Sequence, residues 1–331
     1  MKKTTFLATL ILCSFLLPTL GFAQGALTPP GAPAPTMKRL DQVEPRTLIA
    51  SLPFTITNSG AYYLGATLTG ISGANGITIA TNNVTIDLNG FALLGVPGSL
   101  HGIASTVALS DISILNGRLR SWGGCGINLS NCDTVLFKEV KVNGNGAVGL
   151  AAGQNAQVID CVSSANQVAI ITSSFSTIRN CICNFNSSSG ITTTYFSTIS
   201  GCSLYNDGNT EINANSVCNI TDCTVSSQGQ NCILVSSQCF VHHNNCVGNG
   251  SGGSVSGIHA TGNLNRIEGN QVSGAGTGFK IDVAKNFTLG NVAFSNGTSY
   301  SIVAGNYTGT IVTTEAAMNV ATNSNFNLSI P

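Results

Sequence analysis

The sequence predicts an all-β solenoid: a right-handed parallel β-helix of about eleven rungs, with three short strands in each. Three observations predict it. An apolar residue following a small or turn residue recurs at Ile77, Ile103, Ile127, Leu150, Ile170, Ile191, Ile212, Ile233, Ile258, Phe279 and Ile302, at spacings of 20 to 26 residues. Each repeat holds three runs of alternating apolar and polar residues, and Gly, Asn and Ser separate the runs. Period-two alternation over so few residues means strands, and the turn residues between them leave no room for a helix. Cysteines also recur in register: "STIRNCICNF" from Ser176 and "STISGCSLYN" from Ser197 put Cys181 and Cys202 in one slot, 21 residues apart. A leucine-rich repeat has a similar period, but its fixed leucine pattern and helical half are missing.

The elements follow in chain order. Residues 1–23 read as a signal peptide, with Lys2 and Lys3 ahead of an apolar stretch and Gly21-Phe22-Ala23 supplying small residues at the cleavage positions. That stretch is shorter than the roughly 20 residues that span a bilayer, so a secreted protein is expected. Residues 24–37 form a tether, held extended by Pro29, Pro30, Pro33 and Pro35. Residues 38–75 are expected to cap the N-terminal end, 76–312 to form the β-helix, and 313–331, with "NSNFNLSI", to cap the other end. Both ends need covering, because an open solenoid exposes strand edges that invite aggregation. The composition does not change after the tether, and a solenoid growing along one axis makes a single domain.

Only 8% of residues are charged, and 13 basic side chains balance 13 acidic ones. Asn, Ser, Thr and Gly therefore supply the solvated surface. Such a surface has no electrostatic footprint for nucleic acid or anionic lipid, and little to attract a strongly acidic polymer. A neutral polysaccharide is the expected partner. No membrane span is expected, no cofactor is implied, and a monomer is the expected state.

A second column runs through Ile178, Ile199, Ile220, Val241 and Ile267, and three residues after each comes Cys181, Cys202, Cys223, Asn244 or Asn270. Equivalent residues of successive rungs stack about 4.8 Å apart. Asn244 and Asn270 are thus expected to form an amide ladder, and Cys161, Cys181, Cys202 and Cys223 a buried thiol stack. Exported cysteines invite a disulfide reading. In-register neighbours, however, keep their Cβ atoms about 4.8 Å apart, where a bridge needs about 3.8 Å. Cys125 and Cys132 are the pair least constrained by a ladder, and a bridge between them is left open.

The repeats resemble those of the pectin-lyase-like superfamily, in particular the right-handed β-helix repeat proteins. "PGAPAPTMKRLDQVEPRTLIASLPFTIT", followed by "SGAYYLGATLTG", resembles the leader and capping segment of secreted bacterial members. For members that are enzymes, the resemblance implies action on polysaccharides in a groove along one outer strand face. Lyases of this kind need aspartates for calcium and an Arg or Lys base, and hydrolases need paired carboxylates. The expected outward column of the "Gly-Ile" strands is Thr78, Ala104, Asn128, Ala151, Ile171, Thr192, Asn213, Leu234, His259, Lys280 and Val303, which contains no carboxylate.

The nearest approach to a catalytic group is His259 beside Lys280, with Asp282 placed to neutralise the lysine. The expected function is therefore a secreted, non-catalytic β-helix scaffold that contacts neutral glycans. The alternative is a polysaccharide lyase or glycoside hydrolase built on His259, Lys280 and Asp282. An enzyme needs long turns walling one face, and only residues 91–101 and 246–256 offer them. A second cluster, His242 and His243 with Asp222 and Glu268 one rung away on either side, has the residue types of a metal site. Adjacent strand residues point to opposite faces, so these histidines are expected not to share an ion, and no metal is predicted. Trp122, with Arg118 and Arg120 at an outer corner, reads equally as a platform for a sugar ring or a cap on the apolar column.

Overall fold

One repeat shows how the sequence becomes a rung. Ile191–Thr193, Thr198–Ser200 and Ser203–Tyr205 are its three strands. Ile191, Ile199 and Leu204 are buried, while Thr192, Thr198 and Ser203 face outward. Each strand pairs in parallel with its counterparts one repeat back and one repeat on. Ile170, Ile191 and Ile212 align, as do Ile178, Ile199 and Ile220, and Cys183, Leu204 and Val225. The result is a right-handed parallel solenoid whose three faces are numbered here in chain order within a rung.

The computed structural model describes residues 44–248, 255–313 and 326–330. The expected signal peptide and tether lie outside these residues, as does much of the expected C-terminal cap. The chain divides between Pro45 and Arg46, and the solenoid is the second unit. Among the described residues no helix is long and apolar enough to cross a membrane.

The first face is a sheet of twelve strands, and the second and third faces run together as one 24-stranded sheet. A single residue turns the corner between those two faces. Asn116, Glu139, Asp160, Asn180, Gly201, Asp222, His243, Gly269 and Gly290 hold this position with φ of +55° to +63°. Gly, Asn and Asp enter the left-handed region most readily, and they fill most of the column.

Twelve rungs is one more than expected, because Phe54–Ile56 pairs with Ile77–Ile79 ahead of the "Gly-Ile" series. At the other end the register differs from expectation. Phe279 aligns with Tyr300, and Ile302 aligns with Ile281, so the outward residue of that rung is Ser301 and not Val303. The two aromatic rings stack with centroids 5.0 Å apart and planes 9° from parallel. That stack, with Tyr300 Oη donating to Asn291 O (2.9 Å) and Leu328 O (3.0 Å), settles the register. Asn327–Ile330 then inserts between Val292–Phe294 and Ile311–Val312 on the third face.

Three polar columns thread the corners. In the first, Asn244 Nδ2 donates to Asn270 Oδ1 at 3.0 Å, and the run continues to Asn291 and Asn327 at 3.1 and 3.3 Å. Cys161, Cys181, Cys202 and Cys223 hold that slot in the four preceding rungs. Their thiols donate to the carbonyls of Ile159, Arg179, Ser200 and Thr221 at 3.3–3.4 Å. A thiol is a small hydrophobe with one weak donor, so a single carbonyl satisfies it. The stacked neighbouring thiols, together with burial, hold Cys181 and Cys223 well above the ordinary thiol range. All eleven described cysteines, Cys125 and Cys132 included, are free and buried. A second column, at the corner between the first and second faces, joins the N–H of Cys239 to Asn265 Oδ1 and that of Asn265 to Asn286 Oδ1, each at 2.8 Å.

The third column lies between the third and first faces. Trp122 N–H donates to Asn145 Oδ1, and the N–H groups of Asn145 and Asn166 donate one rung onward in the same way, at 2.9–3.1 Å. Asn186 then donates from its backbone N–H and Nδ2 to Asp207 Oδ1, at 2.6 and 2.8 Å. Asp207 N–H in turn donates to Glu211 Oε1 at 3.0 Å. Both carboxyls are buried, and Asp207 Oδ2 and Glu211 Oε2 have no hydrogen-bond partner. Burial raises Asp207, and burial with the charge of Asp207 pushes Glu211 up to about 10.

Candidate functional site

The outward residues of the first face run from Thr55 through Thr78, Ala104, Asn128, Ala151, Ile171, Thr192, Asn213, Leu234, His259 and Lys280 to Ser301. Only His259 and Lys280 are ionisable. Over the middle rungs this uncharged face is bordered by aromatic rings. At the corner after it, Phe175 and Phe196 hold one left-handed position, at φ +60° and +55°, and their rings stack 5.1 Å apart and 6° from parallel. Tyr195 precedes Phe196. At the corner before it, Phe185 meets Tyr205 edge to face, with centroids 5.4 Å apart.

All five rings are 44–56% exposed. The fold does not require them there, since Asn155 and Val217 hold the Phe175 position in neighbouring rungs with the same backbone. A bulky ring on left-handed backbone is strained, and its exposure leaves the apolar surface uncovered. The first-face strands Val168–Ile171, Ile191–Thr193 and Ile212–Ala214 therefore lie between two aromatic edges.

His259 and Lys280 are register partners on adjacent rungs. Asp282, expected beside Lys280, instead bonds His259, with Nε2 to Oδ2 at 2.7 Å. Asp282 lies just past the end of Thr277–Ile281, where the chain leaves the strand and its carboxylate can lean back one rung. A glycoside hydrolase works with two carboxyl groups, and His259, Lys280 and Asp282 supply one. The two long turns lead into first-face strands far apart along the solenoid. The first-face strands that follow them, at Ile103 and Ile258, are seven rungs apart, which is about 34 Å at about 4.8 Å per rung. Residues 249–254 lie outside the described residues.

The histidine pair also departs from expectation. His243 occupies the left-handed corner at φ +55° instead of continuing the strand, and this swings its ring to the side of His242. The two Nδ1 atoms are 3.2 Å apart. Glu268 is the register partner of His242 and is held by Arg266, while Asp222 Oδ2 accepts from Thr221 Oγ1 at 2.8 Å. Burial lowers the His242 imidazole. Among the described residues no three His, Cys, Asp or Glu side chains converge as metal ligands.

Trp122 is a core residue and not a sugar platform. It is 1% exposed, and its Nε1–H donates to Leu93 O at 3.2 Å. Gly70 makes room for it, since a Cβ there would lie 2.4 Å from the indole ring.

A groove lies away from the first face. Glu139 and Asp160 hold successive corner positions and, with Arg118 and Lys141, line a shallow groove of about 330 Å³. A smaller one of about 200 Å³ beside it adds Asp87 and Lys138. The signal is in the sequence. Asp160, Asn180, Gly201 and Asp222 immediately precede Cys161, Cys181, Cys202 and Cys223, and the corner position in the preceding rung is Glu139.

The fold defines the class: this is a right-handed parallel β-helix protein. Residues 101–249 match the family model of the right handed beta helix region. Among solved structures the chain is similar to the A-module of the mannuronan C-5 epimerase AlgE6 of Azotobacter vinelandii, at 13% identity and a TM-score of 0.50, over 82% of this chain and 91% of that one. It is also similar to the catalytic domain of a GH87 alpha-1,3-glucanase in complex with nigerose (12% identity, TM-score 0.46, 85% of this chain and 62% of that one). A tailspike protein double mutant of E. coli bacteriophage HK620 is a further likeness (12%, 0.45, 87% and 72%). At such identities the likeness is one of fold. No curated protein matches the chain.

Proposed function

We propose that the protein is secreted, binds an uncharged polysaccharide across the middle of its first face, and does not cleave it. The observation that carries this reading is the pair of exposed aromatic edges, Phe175, Tyr195 and Phe196 on one side and Phe185 and Tyr205 on the other, flanking the uncharged middle of that face. A sugar ring presents C–H groups that pack against the electron-rich face of an aromatic ring. An uncharged polymer also leaves no ion desolvated where the face has none to pair with it. Export directed by residues 1–23 would place the protein among such polymers. Glycan contact is consistent with the polysaccharide-related name of the epimerase whose fold the chain shares.

The test is electrophoresis through gels containing neutral β-glucan, xyloglucan or galactomannan. The wild type should be retarded by at least one of them, and the double variants Phe175→Ala/Phe196→Ala and Phe185→Ala/Tyr205→Ala should each bind about tenfold more weakly, equivalent to about 1.4 kcal/mol. Unretarded wild type, or double variants retarded as strongly as wild type, would overturn the proposal. One observation favours a second, catalytic reading: Glu139 and Asp160 share a groove, and paired carboxyls are what a glycoside hydrolase uses. Reducing ends released by the wild type and not by Glu139→Gln would favour that reading.

A further inference from the structure

We propose that His242 and His243 form a surface site for one transition-metal dication of the kind imidazole prefers, Zn²⁺ or Cu²⁺, at the corner between the second and third faces. The inference is independent of the first face and of any glycan. His243 sits at φ +55°, a conformation that His tolerates better than most side chains, and this turn brings two rings of adjacent residues to one side. The ring of His243 lies over Gly269 of the next rung, where a Cβ would come within 3.0 Å of Cδ2, so the glycine leaves it room.

The tautomer of His242 is set by its other nitrogen. Nε2 lies 3.1 Å from Asn219 Oδ1, which only accepts, so the proton is on Nε2 and the Nδ1 lone pair faces His243. An imidazole whose far N–H is held by a carbonyl oxygen is the usual arrangement around a bound metal. Thr221 Oγ1 lies 3.3 Å from Nδ1, but its proton goes to Asp222, so the lone pair accepts instead from His243 Nδ1–H, the proton that a metal ion would displace to solvent.

The separation of the two nitrogens fits a shared ion. With Nδ1 to Nδ1 at 3.2 Å, a metal 2.0–2.1 Å from both would subtend about 100–106°, between square-planar and tetrahedral values. Asp222 and Glu268, one rung to either side, favour a cation there, and the nearby Arg266 is engaged by Glu268. No third protein ligand is in place among the described residues, so water completes the coordination. The chain has four histidines. His101 accepts from Cys125 N–H and His259 bonds Asp282, which leaves this pair as the one place where two imidazoles meet.

The experiment uses untagged mature protein. Cu²⁺ is followed by electron paramagnetic resonance and Zn²⁺ by titration calorimetry. One equivalent of each ion should bind, and the copper spectrum should carry two-nitrogen hyperfine structure. His243→Asn keeps a residue suited to the left-handed corner, so circular dichroism and the melt should be unchanged while affinity falls at least tenfold. Asn219→Ala, which frees the tautomer, should weaken binding by about tenfold. Failure of either ion to bind, a one-nitrogen copper spectrum, or wild-type affinity in a folded His243→Asn would each overturn the proposal.

Discussion

Replacing Glu211 with Gln should stabilise the solenoid at neutral pH and flatten the dependence of its stability on pH. Asp207 stands in the slot that Asn145, Asn166 and Asn186 hold in earlier rungs, and Glu211 takes the acceptor role of the next rung. Neither acid makes a salt bridge among the described residues, and the titratable groups that act on the pair from neighbouring strands are the thiols of Cys183 and Cys232. Two buried carboxylates without a cation cannot both ionise, so the pair retains a proton.

The unfolded chain releases the Glu211 proton near 4.5, and the folded chain holds it to about 10. The stability this proton contributes is complete below pH 4.5 and declines as pH rises towards 10, by about 1.4 kcal/mol per pH unit, which is about 3 kcal/mol by pH 7. In Glu211→Gln the side-chain amide would keep Oε1 as acceptor for Asp207 N–H and offer Nε2–H to Asp207 Oδ2, which replaces a labile proton with a permanent one. Urea unfolding at pH 5, 6, 7 and 8 reads this directly. Wild type should lose stability across that range, while Glu211→Gln should vary less and exceed wild type at pH 7 by about 2–3 kcal/mol. A variant with the wild-type slope, or one less stable than wild type at pH 8, would show that the carboxyls do not hold a proton in common.

Two further outcomes test the rungs. Ile199→Asp puts an unpaired carboxylate at a fully buried position and should abolish cooperative unfolding by circular dichroism, whereas Ser200→Asp, the next residue and outward, should change stability by about 0.5 kcal/mol or less. Alkylation in denaturant without reductant, read by intact mass, should label Cys161, Cys181, Cys202 and Cys223 fully, and a disulfide between any two of them would contradict the stacked geometry.

The fold is legible in the sequence because an inward residue needs an apolar partner above and below it, so Ile170, Ile191, Ile212 and Ile233 repeat the same choice. The final register is not legible from spacing. Tyr300 and Ile302 are both apolar and two residues apart, so both point inward, and the stack of Phe279 on Tyr300 decides between them. The meeting of His242 and His243 depends on one backbone torsion, which strand alternation cannot reveal. Its trace is positional: His243 precedes Asn244 as Asp222 precedes Cys223, in the corner column. Asp282 turns to His259 because it lies beyond its strand, where period-two reasoning ends. The acid pair hides in the repeat itself, since Asp207 differs from the ladder asparagines by one atom type and only burial shows its consequence.

The most direct measurement of where a glycan binds is hydrogen exchange read by mass spectrometry, with and without a saturating neutral oligosaccharide that the gels identify. Protection should be confined to peptides covering residues 168–214, where the aromatic edges border the first face. Protection centred on residues 116–160, or none at saturation, would contradict binding at that face.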